Sequence, residues 1–321
     1  MAVLEVENLS LAIGGMPILR GVSFQVEAGQ TLGVVGESGC GKSMTAKAII
    51  GMAPPGSAVS GSIRLAGQEL VSSPEKSWQQ IRGKQIAMVM QDPFTSLNPV
   101  LNVGSQIAEV FELHQNSTRR QAWTQAVDML DRVGIPDPAA SARKFPHQMS
   151  GGQRQRVVIA IGFACRPQVL LADEPTTALD VTLQAQVLRL LKDLQTECGT
   201  AVLLISHDIG VIAETSDELA VFYAGQVVEQ GPPTMLRAPQ HPYTQALLGA
   251  VPQPGRDRLA SISGQPPRFD ALPPGCAFAP RCPYKVPECD QPQPLRQLAE
   301  GIAVRCLRIN GAPMASSPLE K

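Results

Sequence analysis

The sequence lacks what a membrane-spanning, secreted or globally nucleic-acid-binding chain requires. No run approaches the ~18 consecutive apolar residues of a bilayer-crossing helix. The opening MAVLEVENLS carries acids where a secretory leader has basic and then apolar residues, so the chain is expected in the cytoplasm. Neither sign of charge dominates: 27 Lys and Arg against 28 Asp and Glu give a formal net charge of -1, with no global nucleic-acid footprint and no acidic tail. Heptads are not sustained, which excludes a long coiled coil. Cysteine is sparse over most of the chain, where Cys40, Cys165 and Cys198 stand alone.

What is present describes an ordinary globular protein, 44% hydrophobic and 17% charged, and 321 residues suggest a core domain with an appended piece. The first chemical signal is in TLGVVGESGCGKSMTAKAIIGM, residues 31 to 52. TLGVV suits a buried strand, and the spacing of Met44, Ala48, Ile49 and Met52 suits a helix. Between them Gly36, Glu37, Ser38, Gly39, Cys40, Gly41, Lys42 and Ser43 satisfy G-x-x-x-x-G-K-[ST] in its required strand-loop-helix setting. Glycines let backbone N–H groups turn toward phosphate oxygens, and the helix adds the positive end of its dipole. Lys42 is expected on the β- and γ-phosphates and Ser43 on Mg2+. Cys40 occupies a free position of the motif and reads as small filler.

The run VLLADEP ends in Asp173 and Glu174. Two carboxylates closing an apolar strand are costly without a cation nearby. Alone they also suit a solvated loop start. Beside a phosphate loop, Asp173 is expected to orient Mg2+ and Glu174 to polarise the attacking water. Ser150, Gly151, Gly152 and Gln153 precede the apolar run VVIAIGFA, and from the residues alone they read either as a plain helix cap or as a second anion-binding helix start.

The order GESGCGKS, Gln91, SGGQ, LLADE, Ala178-Leu179-Asp180 and Ser206-His207-Asp208 resembles the nucleotide-binding subunit of an ABC transporter. These elements correspond to Walker A, the Q-loop, the family signature, Walker B, the D-loop and the switch histidine, and the resemblance covers residues 1 to about 235. It implies a dimer sandwiching two ATP molecules, in which Lys42 and Ser43 face the Ser150 and Gly152 equivalents of a partner, so that each half-site is incomplete alone. By the same resemblance His207 would touch the γ-phosphate and hold the attacking water, and Gln91 would reach Mg2+ and that water. Asp180 would communicate across the dimer. One position departs from the family: Ile13 stands where an aromatic commonly stacks on adenine, so the stacking contribution is lost.

QDPFTSLNPV, residues 91 to 100, and HPYTQALLGAVP, residues 241 to 252, are similar to the peptide-importer branch, which serves oligopeptides, dipeptides and in some members nickel. This implies two transmembrane permease subunits, a second ATPase subunit, identical or related, and an extracytoplasmic solute-binding protein acting through the permeases. The chain would lie peripherally on the cytoplasmic face of the inner membrane, with no nucleic-acid partner. A soluble ABC ATPase of repair or translation and a redox-sensing ATPase are the alternatives. The first usually carries two cassettes or a long coiled-coil insertion, and this chain has neither.

Cys276, Cys282, Cys289 and Cys306 fall within 31 residues near the end, in and beyond CAFAPRCPYKVPEC. A structural disulfide is not expected in a reducing compartment. The gaps of five, six and sixteen residues differ from paired C-x-x-C zinc knuckles. Gathered thiolates repel unless a cationic centre neutralises them, and prolines at 280, 283 and 287 lower the entropy of gathering them. Read from the residues, a metal or cluster, zinc, and unligated thiols all remain open. The peptide-importer resemblance implies a [4Fe-4S] cluster, since some members carry one in this tail.

The expected fold is α/β: a P-loop NTPase core of the ABC type over residues 1 to 235, with an antiparallel β portion near the N-terminus and a helical subdomain at about 92 to 164. Expected helices there include Val103 to Leu113 and Arg119 to Val133. A small irregular C-terminal domain, 236 to 310, shows little helical or strand period, and its Pro and Gly content also suits disorder. Its cysteines, with Phe269, Phe278, Tyr284 and Val286, speak for order. The end, 311 to 321, is expected to be loose.

Overall fold

Alternating apolar and polar residues at the N-terminus build a long hairpin. In the computed structural model, which describes residues 2–177, 179–251, 262–298 and 301–308, β1 (Ala2–Ile13) points Leu4, Val6, Leu9 and Leu11 inward. It turns through Gly14 and Gly15, both at positive φ, into β2 (Met16–Glu27). β1 also pairs antiparallel with β4 (Ser57–Leu65), and β5 (Gln68–Glu69) completes this four-stranded sheet. The expected antiparallel β portion is therefore present.

The continuous apolar runs behave differently. β3 (Thr31–Val35), β7 (Val169–Asp173) and β8 (Ala201–Ile205) are buried along their whole length. With β6 (Ile86–Val89) and β9 (Glu218–Tyr223) they form a parallel sheet in the order β9-β3-β8-β7-β6, as strands covered on both faces do. α1 (Lys42–Ile49) follows β3, and α2 (Glu75–Ile81) precedes β6. Between β6 and β7 the chain is helical: α3 (Pro93–Ser96), α4 (Val103–Gln115), α5 (Arg119–Arg132), α6 (Pro138–Ser141) and α7 (Gly151–Phe163). Asn102 caps α4, and Thr118 with Gln121 forms a reciprocal capping box on α5, so both helices start where a side chain satisfies the free N–H groups. α8 (Val181–Cys198) and α9 (Ile209–Thr215) flank β8.

The C-terminal segment has more regular structure than its proline content suggests. It adds β12 (Ala303–Val304) antiparallel to β10 (Gln226–Gly231), itself paired with β9, and β11 (Arg296–Gln297) antiparallel to β12, making one eight-stranded sheet. α10 (Pro242–Gly249) carries Tyr243, which packs with Phe278 and Tyr223 in the main apolar cluster. The expected irregular domain therefore contains one α-helix and two short strands among the described residues. Phe278 is buried, Phe269 and Tyr284 are half-buried, and Val286 is exposed. Two-residue strands show no period, which is why the sequence hid them. The terminal stretch 311 to 321, expected to be loose, lies outside the described residues.

Glu229 of β10 fixes this segment. Fully buried, its carboxylate accepts the backbone N–H groups of Gln240 (2.7 Å) and His241 (3.1 Å). His241 is buried too and neutral, since burial first and Arg305 second push it down to about 3. Its Nδ1 accepts the N–H of Tyr243. Burial pushes the Glu229 carboxyl above its ordinary 4.5. The native state then holds this proton more tightly than the unfolded chain. Its contribution to stability is complete below 4.5 and is lost as pH rises through the native value. Glu229→Gln cannot ionise and removes that dependence, so in urea denaturation the stability of wild type relative to the variant should fall as pH rises above 4.5. A gap independent of pH would contradict the assignment.

Candidate functional site

The loop after β3 is shaped by close backbone passage. A Cβ on Gly36 (φ 153°) would fall 2.3 Å from the carbonyl oxygen of Phe222, so no side chain fits there. Gly41, at φ 107°, is the N-cap of α1. Lys42 is only 5% exposed, and its Nζ donates to the carbonyls of Gly36 (2.8 Å) and Glu37 (3.1 Å). Among the described residues no carboxylate pairs with it. A buried ammonium held by carbonyl dipoles, at the positive end of a helix, is a site for an anion.

Opposite it, the ends of β6, β7 and β8 bring Gln91, Asp173, Glu174 and His207 together at the carboxyl edge of the parallel sheet, where such folds place ligands. Ser43 Oγ donates to Asp173 Oδ1 (2.9 Å), which links the loop to β7. Burial raises the Asp173 carboxyl, and the Ser43 hydroxyl pulls it back. The next residue, Glu174, adopts φ 48°, unusual for a non-glycine, and its N–H donates to Ile205. Its Oε2 accepts from Gln91 Nε2 (2.8 Å) and Thr177 Oγ1 (3.0 Å), and His207 Nδ1 lies 3.5 Å away. The adjacent carboxylates therefore serve different neighbours. Asp173 meets the Ser43 hydroxyl, and Glu174 meets the Gln91 amide, the Thr177 hydroxyl and the His207 imidazole. Thr177 was missed by sequence reading, although it lies three residues after Glu174.

Other expected residues stay apart from the loop. Ser150 caps α7 in a reciprocal box with Gln153, and a Cβ on Gly152 would come 3.4 Å from Leu183 of α8. Gly151 has nothing within 4 Å of a Cβ position, so this helix start faces open space. Asp180 caps α8 through the N–H of Leu183 (2.9 Å). No described hydrogen bond or ion pair joins these residues to 36–43. Ile13 is half-buried at the end of β1, paired with Met16 and Ser57.

The C-terminal segment reaches the loop, which sequence reading did not anticipate. Tyr243 Oη accepts the N–H of Glu37 (2.8 Å), and Arg281 grips the Glu37 carboxylate with both terminal nitrogens (2.6 and 2.9 Å). The four late cysteines share one neighbourhood: each thiol is within electrostatic reach of the other three. Burial pushes Cys276 and Cys306 up and Cys282 up to about 11. The expected ligand set is nonetheless not closed. Among the described residues no three His, Cys, Asp or Glu side chains form a group able to hold one metal ion. All four are free thiols.

Comparison with known proteins matches residues 19–177 to the family described as ABC transporter, and 228–289 to the family described as oligopeptide/dipeptide transporter, C-terminal region. The chain is 46% identical to the dipeptide transport ATP-binding protein DppD of Bacillus subtilis over 91% of its length and 90% of that protein's. The Escherichia coli DppD is also 46% identical, over 95% of this chain and 96% of that one. A Brucella melitensis protein described as a putative peptide import ATP-binding protein is 48% identical over 94% of each. Among solved structures, a dimeric ATP-binding cassette in a post-hydrolysis state with ADP and Pi superposes with a TM-score of 0.64 at 25% identity, covering 71% of this chain and 98% of that one.

Proposed function

The chain belongs to the ATP-binding subunits of ABC transporters, in the oligopeptide and dipeptide branch, and on that basis we propose that it hydrolyses ATP to drive import of short peptides through a membrane transporter. The observation that carries this reading is the convergence of Gln91, Thr177 and His207 on the Glu174 carboxylate, beside the Ser43–Asp173 pair and the Lys42 loop. Lys42 and the start of α1 receive the β- and γ-phosphates. Ser43, Asp173 and Gln91 would hold Mg2+, whose charge balances the phosphates. Glu174 accepts the proton of the attacking water, and His207 and Gln91 orient that water. Ile13 covers adenine without stacking on it. Ser150, Gly151, Gly152, Gln153 and Asp180 serve the nucleotide held by a second ATPase subunit, which suits a helix start that faces open space.

No helix among the described residues is long and apolar enough to cross a membrane, so anchoring falls to partner subunits. Phe94, Val100 and Leu101, exposed just after Gln91, form the surface on which two permeases dock at the cytoplasmic face of the inner membrane. A solute-binding protein on the far side supplies the peptide.

Cys276, Cys282, Cys289 and Cys306 would hold the [4Fe-4S] cluster. Supporting this are the mutual proximity of the four thiols and the backbone N–H groups of Phe278, Ala279, Tyr284, Leu307 and Arg308 directed at three of the sulfurs. Arg20 and Arg305, electrostatically coupled to Cys276, would offset the charge of a thiolate-bound centre. When bound, the cluster supplies a covalent staple and one-electron chemistry.

Glu174→Gln should retain MgATP binding in the assembled transporter and lower turnover by about 100-fold or more, since an amide cannot take the proton. Turnover at the wild-type rate would show that another group is the base. Anaerobic purification should yield about four irons per chain, lost in Cys282→Ser. A colourless preparation with zinc or no metal would overturn the cluster and leave the ATPase untouched.

A further inference from the structure

Glu37 is attached to its surroundings at three points. Its carbonyl takes the Lys42 ammonium (3.1 Å), its N–H meets Tyr243 Oη (2.8 Å), and its carboxylate lies in the fork of Arg281 (2.6 and 2.9 Å). The Arg281 side chain is 4% exposed. Its guanidinium carbon sits 5.8 Å from the ring centres of both Tyr223 and Phe278, and its nitrogens also reach Tyr223 Oη and the Ser263 carbonyl. An ion pair whose guanidinium is buried and whose carboxylate is partly exposed, as here with Glu37 at 23%, is a poor source of net stability but a good device for fixing one arrangement. Docking of the C-terminal segment does not need it, because Glu229, β12 and Phe278 already hold that segment.

The electrostatic consequence falls on the loop. An unpaired Glu37 carboxylate would compete with phosphate for Lys42 and repel the phosphates themselves. We propose that Arg281, supported by Tyr243, is a positioning residue of the nucleotide site: from the C-terminal segment it neutralises Glu37 and holds residues 36–43 in the conformation that receives phosphate. This rests on the ATPase reading above. ATP affinity is then shared between cassette and C-terminal segment. By linkage, nucleotide binding tightens the hold on the segment in return. Arg281 immediately precedes Cys282, so the four-cysteine neighbourhood and the phosphate loop are mechanically continuous.

The test is a rescue, measured by calorimetric titration of MgATP into the full-length chain alongside thermal denaturation. Arg281→Met should weaken MgATP binding about tenfold or more, because it leaves Glu37 charged and unpaired. Arg281→Lys, which keeps the charge and loses the fork, should fall between wild type and Arg281→Met. Adding Glu37→Gln to Arg281→Met should restore affinity to within about threefold of wild type, since the repelling charge is gone. A role confined to docking would lower the melting temperature in both variants and give no such rescue. Wild-type affinity in Arg281→Met, or a double variant as weak as the single, would overturn the proposal. A wild-type chain that fails to bind MgATP would overturn the ATPase reading itself.

Discussion

The structure depends on one costly arrangement, the burial of the Lys42 ammonium with the carbonyls of Gly36 and Glu37 and the Cys40 sulfur for partners and, among the described residues, no carboxylate. Such a charge is tolerated where an anion completes it. The surrounding geometry serves that end. Gly36 lets the backbone pass against β9, Gly41 turns the chain into α1, and the buried parallel strands bring Asp173, Glu174, Gln91 and His207 to the same edge. Two adjacent carboxylates are kept from acting alike by different neighbours: a hydroxyl for Asp173, and an amide, a hydroxyl and an imidazole for Glu174.

The site divides into parts that one chain completes and parts that it leaves open. The Lys42 loop and the groups gathered around Asp173 and Glu174 are assembled within this chain. The starts of α7 and α8, carrying Ser150 and Asp180, are capped internally, and no described hydrogen bond or ion pair joins them to the loop. That division suits the proposed reading of a subunit that turns over ATP against a second one.

Much of this was legible because it is local in sequence. The loop 36–43, the acids at 173 and 174, and the apolar strands before them announce themselves within short windows, and the parallel core follows from runs buried on both faces. What was hidden depends on pairings that no window contains. Arg281 and Glu37 are separated by 244 residues. β11 and β12 are too short to show a period, and Glu229 looks like an ordinary surface acid until β10 and the segment around His241 enclose it. The cysteines were found by spacing, yet spacing could not say that their thiols would lie near one another without closing into a ligand set.

The central claim is that the buried Lys42 ammonium is completed by nucleotide phosphate. The most direct measurement is calorimetric titration of MgATP into the wild-type chain and Lys42→Ala. Loss of a charge-assisted contact made in a desolvated loop should weaken binding by about 100-fold, with the fold retained by circular dichroism. Equal affinity in the two chains would contradict the account.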